Sequence, residues 1–272
     1  MLSSHLHTPR LQLIWSDEFD YEGLPDKAKW DYEEGFVRNQ EMQYYTRARQ
    51  ENARVENGML IIEGRKEQWD NPTFKPGSKK WSERRELAQY TSASLVTRYK
   101  VDCQNSRIEV RAKLPHGQGV WPAIWTVGAN AKKIRWPRCG EIDIMEYVGK
   151  SPDIIYANVH YFGDDKHCSY EGKVQIEKPY TDFHTYAIEW YSNRIDFFFD
   201  HLRYHTFLIE QAGQDAANPF RKPHVLIINL ALGGTWGGAI DDKVLPQHYL
   251  IDYVRVYKKI DNKPTHDGYH KP

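Results

Sequence analysis

Three carboxylic acids lie within one short segment, Glu141-Ile142-Asp143-Ile144-Met145-Glu146. On a regular strand, residues two apart share a face, so Glu141 and Asp143 would point one way and Glu146 the other. A β-bulge near Met145 adds one residue and turns Glu146 back to the face of the other two acids. The segment therefore predicts a bulged strand that presents three carboxylates to one surface.

Acids in this arrangement are suited to cleaving a glycosidic bond. The Cα atoms of Glu141 and Glu146 would lie on the order of 13 Å apart, and side chains leaning together would bring the carboxyl groups to roughly 5–6 Å, as in retaining glycosidases. One carboxylate attacks the anomeric carbon, while the other protonates the leaving oxygen and later activates water. Mutual repulsion raises the pKa of at least one acid, and Asp143 would tune and orient the nucleophile. The competing interpretation is a solvent-facing strand that happens to carry acids, and the pattern alone does not separate the two.

The elements that must position these acids are short strands. Runs of β-branched and aromatic residues recur between Gly, Pro, Asn and Asp, whereas amphipathic helical periodicity is nearly absent. Twelve runs are candidate strands: Leu11–Trp15, Met59–Arg65, Ser92–Arg98, Arg107–Leu114, Ala123–Val127, Glu141–Tyr147, Ile155–Phe162, Thr185–Tyr191, Arg194–Phe199, Tyr204–Phe207, Val225–Leu232 and Leu250–Tyr257. This pattern predicts an all-β sandwich or barrel. Residues 66–89, rich in charge and proline, predict a long surface loop.

Bulk properties exclude several classes of protein. Lys+Arg and Asp+Glu are equal at 37 each, so the chain has no net positive charge that would attract the polyanionic backbone of nucleic acid. No apolar run reaches the ~18–20 residues of a membrane span. Residues 1–10 have no continuous apolar region, which predicts no secretory signal there. Three widely spaced cysteines, Cys103, Cys139 and Cys168, do not make a disulfide framework and leave room for one pair at most.

The acidic segment resembles the E-[ILV]-D-[IVF]-M-E motif of glycoside hydrolase family 16, in its laminarinase-like branch. Further segments resemble the family in the same order along the chain: Trp15–Phe19, Glu41–Thr46, Val55–Leu60, Arg107–Pro115, Gly119–Trp125, Asn158–His160, Asn229–Gly234 and Asp252–Tyr257. The resemblance therefore runs from about Leu11 to Lys258. It moves the interpretation of the acidic strand firmly towards catalysis.

The resemblance implies a concanavalin-like β-jelly-roll sandwich of two antiparallel sheets with a concave sugar-binding cleft. One catalytic domain would span residues 11–260, with flexible termini at 1–10 and 261–272. The partner would be a polysaccharide or glycan, and not nucleic acid or a membrane. We expect a monomer that is secreted, periplasmic or at the cell surface.

The resemblance also implies roles for the acids. Glu141 would be the nucleophile, Asp143 the assisting carboxylate and Glu146 the general acid/base. Met145 places the chain with the bulged members of the family. Catalysis would need no cofactor.

Candidates for substrate binding are polar groups and aromatic faces, which pack well against sugar C–H groups. They are Asn39, Glu41, Trp121, Trp125, Trp136, His160 and Trp236. Asn39 and Glu41 match the family's N-x-E position, and His160 matches a family histidine near the carboxylates. For each tryptophan, packing in the core is an equal alternative.

Two possible metal sites differ in their support. Many family members hold a structural Ca²⁺, a hard cation that takes oxygen ligands, and the resemblance gives Glu18, the Gly58 carbonyl and Asp252 as candidates. His160, His167 and Cys168 have no recognised ligand spacing, and we interpret that cluster as accidental.

The leading hypothesis is a retaining endo-β-glycosidase that cuts internal β-1,3 or mixed β-1,3/1,4 linkages of glucans. An endo-β-galactosidase acting on galactans, keratan-like chains or mucin O-glycans is the alternative, because Phe36–Glu41 replaces the Trp/Gly-containing run common in mixed-linkage glucanases. A non-catalytic, lectin-like protein is the alternative from another class. The complete set of acids favours an enzyme, since a binding module has no need for three mutually repelling carboxylates.

Overall fold

The computed structural model describes residues 10–260. The predicted flexible termini lie outside this range, except that Arg10 begins the first strand. The strands are β1 (Arg10–Asp17), β2 (Asp31–Glu33), β3 (Gln43–Tyr45), β4 (Ala53–Glu56), β5 (Met59–Asp70), β6 (Leu87–Ser92), β7 (Ser94–Val96), β8 (Ser106–Lys113), β9 (Val120–Gly128), β10 (Glu141–Glu146), β11 (Ile154–Gly163), β12 (Lys166–Ser169), β13 (Gly172–Gln175), β14 (His184–Trp190), β15 (Arg194–Phe199), β16 (Leu202–Leu208), β17 (His224–Leu232) and β18 (Gln247–Ile260). Among the described residues, helical structure is limited to α1 (Gly234–Gly237) and the 3₁₀ turns Trp81–Glu83, Ile209–Ala212, Pro219–Arg221 and Asp242–Val244. None of the helices described is long and apolar enough to cross a membrane.

The strands form two sheets, and the predicted all-β jelly-roll sandwich is confirmed. One sheet follows the order β16-β15-β14-β8-β18-β5-β6-β3, with β1 paired to β18 and β4 to β5. The other follows β12-β11-β10-β9-β17-β7-β2, with β13 paired to β11. Pairing is antiparallel except between β3 and β6, which run parallel.

The main core lies between the sheets. Alternate residues of β8, namely Ile108, Val110 and Ala112, are buried, and the polar residues between them are half-buried. Strands β9 and β17 are instead buried along their whole length. One face of each packs in the core, through residues such as Ile124 and Ile228. The other face forms the floor of a cleft.

The prediction of a surface loop over residues 66–89 is wrong at both ends, because strands extend into this range from each side. Strand β5 continues to Asp70, and β6 begins at Leu87. Along the end of β5, exposed and half-buried residues alternate, so the charged side chains lie on the wet face of a strand. A charge-rich composition therefore did not exclude β structure here.

All twelve candidate runs contain strands, but the sequence patterns missed six. The additional strands are β2, β3, β4, β6, β12 and β13. All of them except β6 have only three or four residues, and strands this short carry little periodic signal. The three cysteines are free thiols, so no disulfide joins them.

Candidate active site

Strand β10 contains the predicted bulge. Between Asp143 and Met145 the register advances two residues on β10 but only one on β9. Ile144 and Met145 are both buried in the core. Because of this extra inward residue, Glu146 returns to the cleft face that Glu141 and Asp143 occupy.

A glycine fixes the point where β10 begins. Gly140 has a φ of +77°, which side-chain-bearing residues rarely adopt. A Cβ at this position would lie 2.6 Å from the Cβ of Pro219. Both the backbone and the close approach therefore require glycine immediately before Glu141.

The acids line a cavity of about 420 Å³ on the cleft face of the second sheet. Eight residues predicted from the sequence line it: Asn39, Glu41, Trp121, Trp125, Trp136, Glu141, Asp143 and Glu146. Four polar residues that the sequence patterns did not single out also line it: Glu33, Arg38, Arg98 and Asn229. Small apolar side chains complete the wall: Ala123, Val127, Ala131 and Ile227. Most of the predicted set is thus brought together.

The environment of Glu141 holds opposing charges. Burial, followed by the charge of Asp143, raises the pKa of Glu141 to about 8. His160 and the Arg38 guanidinium act in the opposite direction and favour the carboxylate. Arg38 acts on Glu141 and not on Glu146, and it gives Glu141 the cationic support that an anionic nucleophile needs.

Glu146 lies in a different environment. Burial and the charges of Asp143 and Glu141 raise its pKa well above the usual range. Trp121 Nε1 donates a hydrogen bond to Glu146 Oε1 at 3.0 Å. The balance favours the protonated form, which suits a general acid.

Asp143 lies between the two glutamates on β10, and His160 faces Asp143 and Glu141 from the neighbouring strand. Burial raises the pKa of Asp143 to about 8, and its side chain is 5% exposed. His160 Nε2, on β11, is 3.2 Å from Asp143 Oδ2 and 3.8 Å from Glu141 Oε1. The three side chains each place one polar atom within 4.8 Å of the others. We interpret this cluster as the reacting group itself, because a cation there would take the place of the substrate carbon.

Trp136 is the most open aromatic surface in the site. Its side chain is on the loop before β10 and is 49% exposed. One side packs against His167, with the ring centroids 4.7 Å apart. The position of Trp136 therefore suits stacking on a sugar ring.

Trp125 is not an open platform, and its contacts favour the packing alternative. The Arg38 guanidinium lies over its ring, 4.8 Å from the centroid, and only 8% of the residue is exposed. Its Nε1 donates to Asn229 Oδ1 at 2.7 Å. Trp125 therefore positions Arg38 and Asn229, and these polar groups face the cavity.

Trp236 is not among the residues that line the cavity. It packs edge to face on Trp121 at 5.4 Å and on Tyr156 at 5.0 Å. The structure thus favours the packing alternative for Trp236. Its contact with Trp121 buttresses the hydrogen bond from Trp121 to Glu146.

Asn39 and Glu41 form a fixed polar corner of the cavity. Glu41 accepts hydrogen bonds from Asn39 Nδ2 at 3.3 Å and from Gln43 Nε2 at 2.7 Å. Helix α1 holds this corner, because Thr235 N donates to the Asn39 carbonyl at 2.9 Å. Gly234 makes the contact close, since a Cβ there would lie 2.9 Å from the same carbonyl oxygen.

The residues predicted to hold calcium do not fit that ion as they stand. Glu18 accepts two hydrogen bonds from Arg255, at 3.0 and 2.7 Å. Asp252 accepts from Arg111 at 2.6 Å. Each carboxylate therefore already has a guanidinium partner, and a cation would have to displace it.

A thermal measurement tests the calcium prediction. Because arginines neutralise both carboxylates, we expect the same Tm in EDTA as in millimolar calcium chloride. Magnesium chloride at the same ionic strength is the control for general salt effects. A Tm that rises with calcium concentration, and not with magnesium concentration, would show that calcium binds there and displaces the arginines from the carboxylates.

A sandwich whose cleft is lined by three clustered acids and by tryptophans is the architecture of a glycoside hydrolase. The sequence profile of the family described as Glycosyl hydrolases family 16 matches residues 39–255. The chain belongs to this family.

Individual relatives agree with this assignment. The chain is 43% identical to the beta-glucanase of Rhodothermus marinus over 93% of this chain and 87% of that protein. The solved laminarinase from the same organism matches with a TM-score of 0.80, covering 93% of this chain and 99% of that one. A structure reported with endo-acting O-glycanases of the human gut microbiota matches with a TM-score of 0.85 at 37% identity, covering 92% of this chain and 91% of that one. The chain is 32% identical over 92% of its length to a glucan endo-1,3-beta-glucosidase from Niallia circulans, but spans only 38% of that protein.

Proposed function

We propose that the protein hydrolyses internal β-1,3 or mixed β-1,3/1,4 linkages of glucans with retention of configuration. The observation that carries the proposal is the bulged strand β10, which places Glu141, Asp143 and Glu146 on one buried patch of an open cleft. A cleft open to solvent accommodates a chain that continues in both directions. The same proposal places the enzyme outside the cytoplasm, where polysaccharides occur.

In the proposed mechanism, Glu141 attacks the anomeric carbon of the bound sugar. His160 and Arg38 favour its carboxylate form in the free enzyme. Glu146 gives its proton to the leaving glycosidic oxygen and then removes a proton from the water that hydrolyses the glycosyl-enzyme. Trp121 keeps the Glu146 carboxyl group oriented through both steps.

Asp143 acts on the nucleophile in this mechanism. Its negative charge disfavours the Glu141 carboxylate, and that charge is removed when Asp143 is protonated. Since both acids are buried side by side, they titrate as a pair. One proton shared by the pair leaves one anionic group to attack the sugar, while Glu146 keeps its own proton.

The glucan assignment draws on the relatives. Proteins named beta-glucanase and glucan endo-1,3-beta-glucosidase align with nearly the whole of this chain. The galactose-containing substrates are the second candidate, and one observation favours them. The structure reported with mucin-degrading O-glycanases has a TM-score of 0.85, against 0.80 for the laminarinase.

A substrate panel separates these assignments. Laminarin and mixed-linkage β-glucan are expected to give short oligosaccharides early in the reaction, as endo cleavage requires, while agarose, keratan sulfate and mucin glycans stay intact. The products are measured by chromatography and mass spectrometry. Products from the galactose-containing substrates alone would move the specificity to the second candidate and keep the mechanism. Binding without products from any of them would favour the lectin-like alternative.

A further inference from the structure

A second histidine, His167, contacts His160 on the side away from the catalytic acids. His167, on β12, places Nε2 2.9 Å from Nδ1 of His160. The opposite nitrogen of His160 faces Asp143 Oδ2 at 3.2 Å. The two imidazole rings stack with centroids 5.1 Å apart. The sequence patterns gave His167 no role, and the mechanism above does not use it.

Two ring nitrogens at 2.9 Å share a single hydrogen, so one of them must donate and the other must accept. If a neutral His160 accepts at Nδ1, its own hydrogen is on Nε2, the nitrogen that contacts Asp143. If His160 donates at Nδ1, a bare Nε2 faces Asp143 instead. The direction of this one hydrogen bond therefore decides whether the acids face a donor or an acceptor.

The surroundings favour the first arrangement. Among the described residues, the buried Asp143 Oδ2 has no hydrogen-bond partner, and His160 Nε2 contacts it at 3.2 Å. An ionised carboxylate gains most from a donor, and a hydrogen bond to a charged group is stronger than one between neutral groups. Burial lowers the pKa of His167. A neutral His167 with its hydrogen on Nε2 can therefore donate to His160.

We propose that His167 is a positioning residue that holds His160 in its Nε2–H tautomer, so that His160 turns an N–H towards the Glu141–Asp143 pair and favours its ionised form. The proposal deepens the glycosidase function and rests on it. His167 does not touch the reacting atoms, and its effect passes through His160 alone.

The groups that act on this pair come from several elements. Glu141 and Asp143 face His160 from β10, and Arg38 acts on Glu141 across the cavity. Trp136 is uncharged and packs on both imidazoles, at 5.9 Å from His160 and 4.7 Å from His167. A test must therefore separate loss of the hydrogen bond from loss of packing against Trp136.

Two substitutions make that separation. His167→Phe keeps an aromatic ring against Trp136 but removes the N–H. His167→Gln removes the ring but carries an amide N–H that can reach His160. With Phe, the acidic limb of the kcat/KM profile is expected to move to higher pH by about one unit, the effect of losing one hydrogen bond to an ionised group. At pH values below this limb, kcat/KM of the Phe variant is expected to be about tenfold lower than that of the wild type. At pH values above the limb the two proteins are expected to have the same kcat/KM, and KM is expected to stay unchanged. Gln is expected to restore the wild-type profile.

The histidine tautomer gives a readout that is independent of activity. ¹⁵N chemical shifts of the imidazoles are expected to show His160 protonated at Nε2 in the wild type and in His167→Gln, and a mixture of the Nε2–H and Nδ1–H tautomers in His167→Phe. His205→Phe is the matched control, because His205 also stacks on an aromatic ring, that of Tyr170, and bonds a backbone oxygen. It lies on β16 in the other sheet, and no change in the profile is expected.

Two outcomes would overturn the proposal. One is a Phe variant with the wild-type profile and tautomer. The other is an equal loss at every pH in both the Phe and Gln variants, which would give His167 a packing role only. Failure of the glycosidase function itself is distinguishable, since Glu141→Gln would then keep its activity.

Discussion

Glu141→Gln is expected to lower kcat by on the order of 10⁴-fold or more while sugar binding is retained. The substitution keeps the shape of the side chain and removes the negative oxygen that attacks the anomeric carbon. Binding depends on groups that the substitution leaves in place, namely Asn39, Glu41 and the face of Trp136. Turnover of laminarin and calorimetric binding of a laminarin oligosaccharide measure the two effects separately.

Glu146→Gln provides the comparison within the site. It removes the general acid, a group worth about 10²–10⁴-fold, and the loss is expected to be smaller on a substrate whose leaving group needs no proton. Glu171→Gln, an exposed residue outside the cleft, should behave as wild type. Unchanged turnover in Glu141→Gln would contradict the mechanism. Loss of binding together with turnover would point to a damaged cleft.

The catalytic strand was predictable from the sequence because its signal is local. Glu141, Asp143 and Glu146 lie within six residues, and the period of a strand shows that one extra residue is needed to bring them together. The twelve runs with strand-like composition predicted an all-β sandwich or barrel, and the resemblance to the family specified the two-sheet jelly roll. These features depend on residues that are close together in the sequence, and a sequence pattern reports the order and spacing of such residues.

The rest of the site depends on contacts between distant segments. Arg38 is on the loop between β2 and β3, and it reaches the ring of Trp125 on β9. Because of this contact, Trp125 is not the open platform that its residue type suggested. Asn229 joins the cavity only through the pairing of β17 with β9. Asn229 lies in a segment that resembles the family, and this resemblance could have identified it as a site residue. No feature of the sequence indicated that Arg98 lines the cavity.

The three acids should also make the folded protein less stable as the pH rises. Burial raises the pKa of Glu141 to about 8 and raises those of Asp143 and Glu146 as well, whereas an unfolded chain would release these protons near pH 4. In the interval between, the folded state binds more protons than the unfolded state. The free energy of unfolding therefore falls with rising pH between about pH 5 and pH 8.

Removing one of these charges should consequently stabilise the protein while it destroys activity. Glu141→Gln is expected to raise the free energy of unfolding near pH 7.5 by about 1–2 kcal/mol, which corresponds to a Tm about 2–8 °C higher. The gain should shrink towards pH 5, because the wild-type carboxyl groups are then protonated in the folded state. Thermal unfolding of both proteins across this pH range measures the difference.

Glu67→Gln is the matched control because its expected effect on the free energy of unfolding has the opposite sign. The hydrogen bond from Arg49 lowers the pKa of Glu67, so its charge stabilises the fold at neutral pH and the variant should melt at a lower temperature than the wild type. The contrast isolates the cause: both substitutions remove one carboxylate, but only Glu141 is buried beside other acids. A Glu141→Gln protein that melts with the wild type at every pH would show that the acids carry no net cost. The cluster would then be solvated or fully compensated in the folded state, and the electrostatic basis of the proposed mechanism would have to be abandoned.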